Sequence, residues 1–414
     1  MAGTSRMRSV EEHLDSILRG LDPLPAETVV LDASLGRVLA QEVTARTAIP
    51  PFDNSAMDGY AVRAEDVRGA SATSPVILPV AADLPAGAAA DAPLEPGTVA
   101  RIMTGAPVPP GADAIVPIEH TDGGTATVRV HREAVPGAHL RRAGTDLAAG
   151  ATVLSPGAVL SSRAIAAAAS AERSTVLVLA RPRVAVISTG SELVPPGEPT
   201  RHGQIPDSNS FLLAAAVEEA GGTALRLGSV ADDVDALRSL LERAARETHA
   251  IVLSGGVSVG AYDVVKELLA PLGVRFGTVR MQPGKPQGFG RWVDGTPVFA
   301  LPGNPVSAAV SFEVFVRPAL RRLQGLAELE RSRLRGEAAV GWRTPQGRRQ
   351  YIPVTIERDA AGAVRVRPAT AGGSGSHLVA SLALADGLAI VDADVEEVRT
   401  GDAVEVLDWR DGPG

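Results

Sequence analysis

Residues 50–62 (PPFDNSAMDGYAV) crowd two carboxylates, an amide, a hydroxyl and a glycine among aromatic and thioether side chains. The run shows neither a helical period nor strand alternation until its last residues. Asp, Asn, Ser and Gly are turn formers, so the simplest reading is a well-formed loop. Phe52, Met57 and Tyr60 interleaved with Asp53 and Asp58 point further, to a ligand that is part flat ring and part charge.

Three later segments carry the residues for anion chemistry. Residues 254–263 (SGGVSVGAYD) place Ser254, Gly255, Gly256, Ser258 and Gly260 ahead of Asp263. Glycines there let backbone approach a ligand, and a following helix offers N–H groups to a phosphate. Residues 281–286 (MQPGKP) set Lys285 between glycine and proline, a rigid turn with a point charge but without the Ser or Thr of a Walker loop. Only Lys266 and Lys285 are lysines among 40 basic residues, which reads first as a coding bias toward arginine; its corollary is that a lysine kept against such a bias suits a place where a compact ammonium is needed. Residues 301–307 (LPGNPVS) form a third such turn, with Pro302, Gly303, Asn304 and Pro305.

Carboxylates accompany these turns. Glu192, in the run Ser188-Thr189-Gly190-Ser191-Glu192, joins Asp232 and Asp263 at the ends of expected strands. Each could be a helix cap. Together they suit Mg²⁺ held among hard oxygen ligands, or a set that reads a polar heterocycle. Residues 256–260 also fit the GxSxG nucleophile elbow around Ser258. For a serine hydrolase the only downstream histidine is His377, outside the α/β region, and no HGGG-type oxyanion segment is present. No GxGxxG follows a strand, which disfavours a dinucleotide oxidoreductase.

The elements that must position these groups fall into blocks. Ser9 to Glu12 is a capping box, and apolar residues at helical spacing predict a helix over 10–20. Residues 28–150 read as an all-β region with strands near 99–103, 114–118 and 125–130, followed by an alanine-rich helix over 161–171. From residue 184 strands and helices alternate. Strands are expected at 184–187, 224–230, 250–253 and 298–301. The expected helices are 211–220, capped by Ser208 or Asn209, then 234–246, 263–269, and a long one ending near 323. Residues 331–349, with six arginines and one acid, Glu337, read as a solvated linker and edge strand. Strands near 351–356, 364–367, 388–391 and 403–407 close the chain. The fold class is therefore multidomain α/β plus β. It has a central three-layer α/β domain with a mostly parallel sheet, elongated N-terminal helical and β regions, and a small C-terminal β-domain. Such sheets bind ligands beyond the carboxyl ends of their strands, where every polar motif above falls.

Composition bounds the rest. The chain has 414 residues, 45% of them apolar and 21% charged, enough for several domains. A net charge of −8 argues against nucleic acid or an anionic membrane as partner. No apolar run reaches spanning length and no signal peptide is seen, so a cytoplasmic protein is expected. The absence of cysteine removes disulfides, thiolate zinc sites, iron–sulfur clusters and thiolate catalysis. The seven histidines form no metal-binding spacing.

As an ordered set, the segments 51–62 (PFDNSAMDGYAV), 101–109 (RIMTGAPVP), 140–146 (LRRAGTD), 188–193 (STGSEL), 254–263, 283–286 (PGKP) and 301–308 (LPGNPVSA) resemble the molybdopterin molybdenumtransferase family, which includes the E domain of gephyrin. The resemblance covers nearly the whole chain. It implies insertion of molybdate into adenylylated molybdopterin, with release of AMP in an Mg²⁺-dependent step. It implies that Asp58 and Thr104 are acidic and hydroxyl site groups from the β-region. Glu192, Asp232 and Asp263 become the acidic set of the α/β domain, with Asp146 a weaker match. Lys285, Pro302 and Pro305 become cleft residues. Where family members often carry lysines before PGKP, this chain has Thr278, Arg280 and Gln282.

The resemblance further implies four domains: 1–45 with 147–182 (elongated linker and dimerisation), 46–146 (β-rich), 183–328 (α/β, molybdopterin-binding) and 329–414 (C-terminal β). It implies a homodimer in which Asp58 completes a cleft on the partner chain, and the molybdopterin adenylyltransferase as a protein partner. A tungstate-inserting sister enzyme and a non-catalytic pterin-binding scaffold remain the alternatives.

Overall fold

The computed structural model describes residues 7–257, 264–360, 362–370, 375 and 379–410, with backbone alone for Ser381. The chain divides into two compact units. One comprises Met1–Glu27, Gly36–Val38 and Val178–Gly414, and the other Thr28–Leu35 and Leu39–Leu177.

The first unit is built on a six-stranded sheet. In spatial order its strands are Thr223–Val230, Arg183–Thr189, Ala250–Ser254, Pro297–Leu301, Pro286–Arg291 and Arg275–Thr278. The first four are parallel. The last two add antiparallel pairings, so the sheet is mostly parallel as expected. The first strand in the chain lies between the second and third, which makes the gap between Arg183–Thr189 and Ala250–Ser254 a topological switch point.

Successive strand residues point to opposite faces. Val184, Val186 and Val252 therefore join one core with Leu213 and Val217 of the helix Asn209–Glu219 and with the helical run 305–323. Ala185, Ile187, Ile251 and Leu253 join another with Leu237 and Leu241 of Val234–Glu247 and Val265 and Leu268 of Val264–Leu269. A sheet buried on both faces explains why these strands read as unbroken apolar runs rather than alternating ones.

The capping box forms as the sequence predicts. Glu12 N–H donates to Ser9 Oγ at 3.0 Å and Ser9 N–H to Glu12 Oε2 at 2.8 Å, opening the helix Val10–Leu18. The cap expected for Asn209–Glu219 is different. The side chain of Ser208 makes no cap bond, and Asp207 Oδ1 accepts from Ser210 N–H at 3.0 Å instead.

The long helix after Pro305 also departs from expectation. It runs as Pro305–Ser311, a π-helical turn Phe312–Val316, and Arg317–Leu323. Glu313 on the π turn is buried and accepts from Arg331 Nε at 2.5 Å, with Arg317 Nε 3.5 Å away.

That ion cluster corrects the reading of 331–349 as a solvated linker and edge strand. The Arg331 side chain is buried against Glu313. Arg333–Ala338 lies between Val364–Pro368 and Ala403–Asp408, inside a sheet. This C-terminal sheet closes on itself through the pairing of Arg349–Arg358 with Gly387–Val391, giving a small barrel filled by Ile352, Val354, Val366, Ala389 and Val406.

The second unit carries a five-stranded sheet in the order Ala114–Pro117, Gly59–Val62, Val99–Ile102, Val76–Leu84, Thr127–Val130. Its pairs are antiparallel except Val76–Leu84 with Val99–Ile102. Tyr60, Val62, Val99, Val116 and Val128 form its core. The alanine-rich helix spans Ser162–Ser170, capped by Ser161, whose Oγ accepts from Ala164 N–H at 3.3 Å. No helix among the described residues is long and apolar enough to cross a membrane.

Candidate active site

The switch point of the α/β sheet opens into a cleft of about 850 Å³. Its wall is made by the loops leaving four parallel strands: Thr189, Gly190 and Glu192 from the first, Asp232 from the second, Ser254 to Val257 from the third, and Pro302 to Pro305 from the fourth. Four sequence segments up to 116 positions apart, from Thr189 to Pro305, meet here because each ends a parallel strand of one sheet.

Glycine is required at two of these positions. Gly255 has φ of +100°, and a Cβ on it would sit 2.5 Å from Thr189 O. Its N–H donates to Leu301 O at 3.0 Å, which ties the third loop to the end of the fourth strand. At Gly190 the space a Cβ would take is filled by the Glu192 carboxylate, 2.5 Å away, so the carboxylate folds back over the loop.

The acids take distinct parts. Asp233, not Asp232, caps the helix Val234–Glu247, with Oδ1 accepting from Ala236 N–H at 2.7 Å. Asp232 is thereby released to the cleft, where Oδ2 accepts from Ser191 N–H and Oγ at 3.2 Å each. Glu192 and Asp232 are exposed on the cleft wall. Two carboxylates there have the oxygen chemistry a hard cation takes. Among the described residues no three acids or histidines group closely enough to hold a metal by themselves. Ser258, Gly260, Asp263 and His377 lie outside the described residues, so the third acid and the GxSxG serine are not placed.

Ser188, expected to touch ligand, is buried behind the wall, and its Oγ donates to Asp207 Oδ1 at 2.8 Å. Of the 283–286 turn, Pro286 lines the cleft, while Lys285 is solvent-exposed. The turn is held from beneath by Gln287 Nε2, which donates to Gly284 O at 2.6 Å and to Ser311 Oγ at 2.7 Å. Lys266 is placed on Val264–Leu269 with its Nζ 6.0 Å from the centroid of the Phe276 ring, so the scarcity of lysine did not by itself mark ligand contacts.

Asp58 and Thr104 belong to the second unit. Asp58 Oδ1 accepts from Thr104 N–H at 2.7 Å and from Thr104 Oγ1 at 2.8 Å. Those two donors, the backbone one first, hold the carboxyl below its ordinary range, so it stays ionised and exposed. Asp53 is engaged elsewhere, by Arg142 Nη1 at 2.6 Å and Ala143 N–H at 2.8 Å. The flat-ring reading of this segment is corrected at Tyr60. Its ring is fully buried in the sheet core and its hydroxyl donates to Gly124 O at 3.0 Å, because Gly59–Val62 is the strand between two neighbours. Phe52 remains exposed.

Sequence reasoning missed Asp207 and Asn209 as site groups. Asp207 fastens Ser188 and Ser210, and Asn209 fastens two cleft loops: its Nδ2 donates to Ser254 Oγ at 2.7 Å and to Gly303 O at 2.6 Å. The available signal was an Asp-Ser-Asn run opening a helix, which reads equally well as an ordinary cap.

The likeness to known proteins covers both units. The family model for the MoeA N-terminal region (domain I and II) matches residues 8–171, that for a probable molybdopterin binding domain matches 185–322, and that for the MoeA C-terminal region (domain IV) matches 335–409. A protein of Mycobacterium tuberculosis (strain H37Rv) named molybdopterin molybdenumtransferase 2 is 46% identical over 412 residues, covering 97% of this chain and 100% of that relative. A second from the same strain, molybdopterin molybdenumtransferase 1, is 37% identical over 420 residues, covering 97% and 98%. The crystal structure of a molybdopterin biosynthesis MoeA protein from Pyrococcus horikosii superposes with a TM-score of 0.81 at 33% identity, covering 98% of this chain and 100% of that one. With every segment of the cleft inside the matched regions, the chain belongs to the MoeA family of molybdopterin molybdenumtransferases.

Proposed function

We propose that this protein inserts molybdate into adenylylated molybdopterin, releasing AMP and forming molybdenum cofactor. The observation that carries the reading is the cleft at the switch point, where exposed Glu192 and Asp232 face the glycine loops at 255–256 and 302–305. That pairing of acids with close-approach backbone suits a ligand with a phosphoanhydride and a polar ring.

The roles follow from what is free. The N–H of Gly255 is spent on Leu301 O and that of Gly190 on Val230 O, so phosphate contacts fall to the loop from Gly256 onward, with Lys285 as a point charge. Glu192 and Asp232, joined by Asp263, would hold Mg²⁺. When bound, the ion supplies charge neutralisation at the phosphoanhydride. Ser191 keeps the Asp232 carboxylate turned by two hydrogen bonds, so its other oxygen is the one left for a ligand.

The α/β body is taken as three-layered, in keeping with its two cores, and the chain as four domains with the boundaries given above. The protein is further proposed to work in the cytoplasm as a homodimer, with Asp58 and Thr104 supplied by a second copy and the molybdopterin adenylyltransferase as the source of substrate. Asp58 suits this role because Thr104 keeps it ionised and exposed.

The test combines the full chain, adenylylated molybdopterin, Mg²⁺ and either molybdate or tungstate, and measures AMP. Molybdate-dependent AMP release is expected, and its loss in Asp58→Ala with an unchanged melting curve. No AMP with either oxyanion leaves a binding scaffold, and AMP with tungstate alone leaves the sister enzyme. A fully active monomer contradicts the shared site.

A further inference from the structure

In the second unit, the run that carries Asp58 is held by very short pairings. Asn54 and Ser55 lie opposite Arg141 and Leu140, and Asn54 bridges to Pro107 on the other side. Ala56 N–H donates to His139 O at 2.9 Å, Ser55 N–H to Ala106 O at 3.1 Å and Gly105 N–H to Ser55 O at 2.9 Å. Such brief pairings specify register weakly, and a slip of one residue turns every side chain to the opposite face. Asp53 fastens the run to both neighbours at once. Its carboxylate accepts from Arg142 Nη1 at 2.6 Å and from Ala143 N–H at 2.8 Å, while its carbonyl accepts from Val108 N–H at 3.0 Å. Farther along the same run, Asp58 Oδ1 takes both of its bonds from Thr104, the residue before Gly105. Where the Asp58 carboxylate sits therefore depends on how 53–58 is aligned with 104–108, and Asp53 pins that alignment.

We propose that Asp53 is a positioning residue for the reaction: its clasp on Arg142 and Ala143 keeps the run 53–58 in register and so presents the open oxygen of Asp58. This rests on the function proposed above, in which Asp58 is a site acid. Stability does not account for the clasp. The Asp53 and Arg142 side chains are 37% and 56% exposed, and ion pairs that open to water add little to folding. Geometry does account for it, because a reacting group misplaced by about 1 Å can lower a rate about 100-fold.

The test reads Asp58 itself. Carboxyl-carbon NMR of the full chain follows the Asp58 titration in the wild type, Asp53→Ala, Asp53→Asn and Arg142→Ala. The two Thr104 bonds hold Asp58 below its ordinary range, so a loosened register moves its titration up. Removing the Asp53 charge would by itself move it down, because a neighbouring anion raises a carboxyl pKa, so the sign separates the two effects. Asp53→Ala is expected to shift Asp58 upward. Asp53→Asn keeps an acceptor for Ala143 N–H and should shift it less. Melting temperatures should barely move.

AMP release supplies a second readout. Asp53→Ala and Arg142→Ala should lower kcat about 10- to 100-fold and leave KM unchanged, and Arg142→Lys, which keeps the ion pair, should restore most of the rate. Should the Asp53→Ala chain not fold, Asp53→Asn and Arg142→Ala carry the test. An Asp58 titration that stays put or moves down in the variants overturns the proposal. So does a loss of rate matched by a fall in melting temperature, which would make the pair structural. A wild-type chain that releases no AMP defeats the proposed reaction, while the Asp58 titration still decides the clasp.

Discussion

The segment 50–62 and the loops of the α/β cleft are equally rich in polar residues, but their side chains end up doing different things. In the first, acids are taken up locally: Asp53 by Arg142 and Ala143, and one oxygen of Asp58 by Thr104. The aromatic ring of Tyr60 goes to the sheet core. In the second, locking falls to buried amides and hydroxyls, Asn209, Ser188 and Gln287, while Glu192 and Asp232 stay exposed. Asp58 and Asp232 are alike in keeping one oxygen open while Thr104 and Ser191 hold the other, so the regions differ at Asp53 and Tyr60, which are taken up by Arg142 and by the sheet core. Loops at the ends of a buried sheet can be fixed from behind and leave their charges open.

The largest expected effect tests the open acids. Glu192→Gln and Asp232→Asn should each lower molybdate-dependent AMP release by about 10²–10³-fold, the range found when one preorganised electrostatic group is lost. Melting temperatures should barely move, since both side chains are exposed. A variant that loses stability instead would make these acids structural and erase the contrast.

Next comes a pair of glycines. A Cβ on Gly59 would lie 2.0 Å from Val116 O across a strand pair, so Gly59→Ala should destabilise its unit by about 3 kcal/mol in urea titration. Gly255→Ala meets Thr189 O at 2.5 Å on a cleft loop. It should reduce binding of AMP more than it reduces stability. Equal losses of stability in the two variants would remove the distinction drawn between a cleft loop and a sheet interior.

The smallest effect sharpens the first region. Thr104 lowers the Asp58 pKa, so the stabilisation is present above the unfolded value and lost as pH falls through the folded one. Thr104→Ala keeps the backbone donor and loses the hydroxyl. Carboxyl-carbon NMR should show Asp58 titrating at higher pH than in the wild-type chain, and still below its ordinary range. An unchanged titration would mean that the backbone N–H alone sets it.

Much of this was legible early. The capping box at Ser9, the strand-to-helix alternation from residue 184, and the glycine-rich turns were readable because each depends on neighbours within a few positions. The buried Glu313–Arg331 pair was not, since 18 positions separate its partners and the run 331–349 looks solvated by composition. Asp207 and Asn209 looked like cap residues, and only packing showed that one fastens Ser188 while the other spans two loops.

By itself the sequence determined which residue types stand at the ends of which strands, because periodicity and turn chemistry are local properties. It also carried the family, because seven motifs in fixed order leave little freedom. The tertiary structure decided which polar groups are spent and which are open. Asp233 rather than Asp232 caps its helix, Tyr60 is core, and the Asn209 amide has one orientation. Hydrogen-bond satisfaction depends on who is within 3 Å in space, and sequence order does not contain that information.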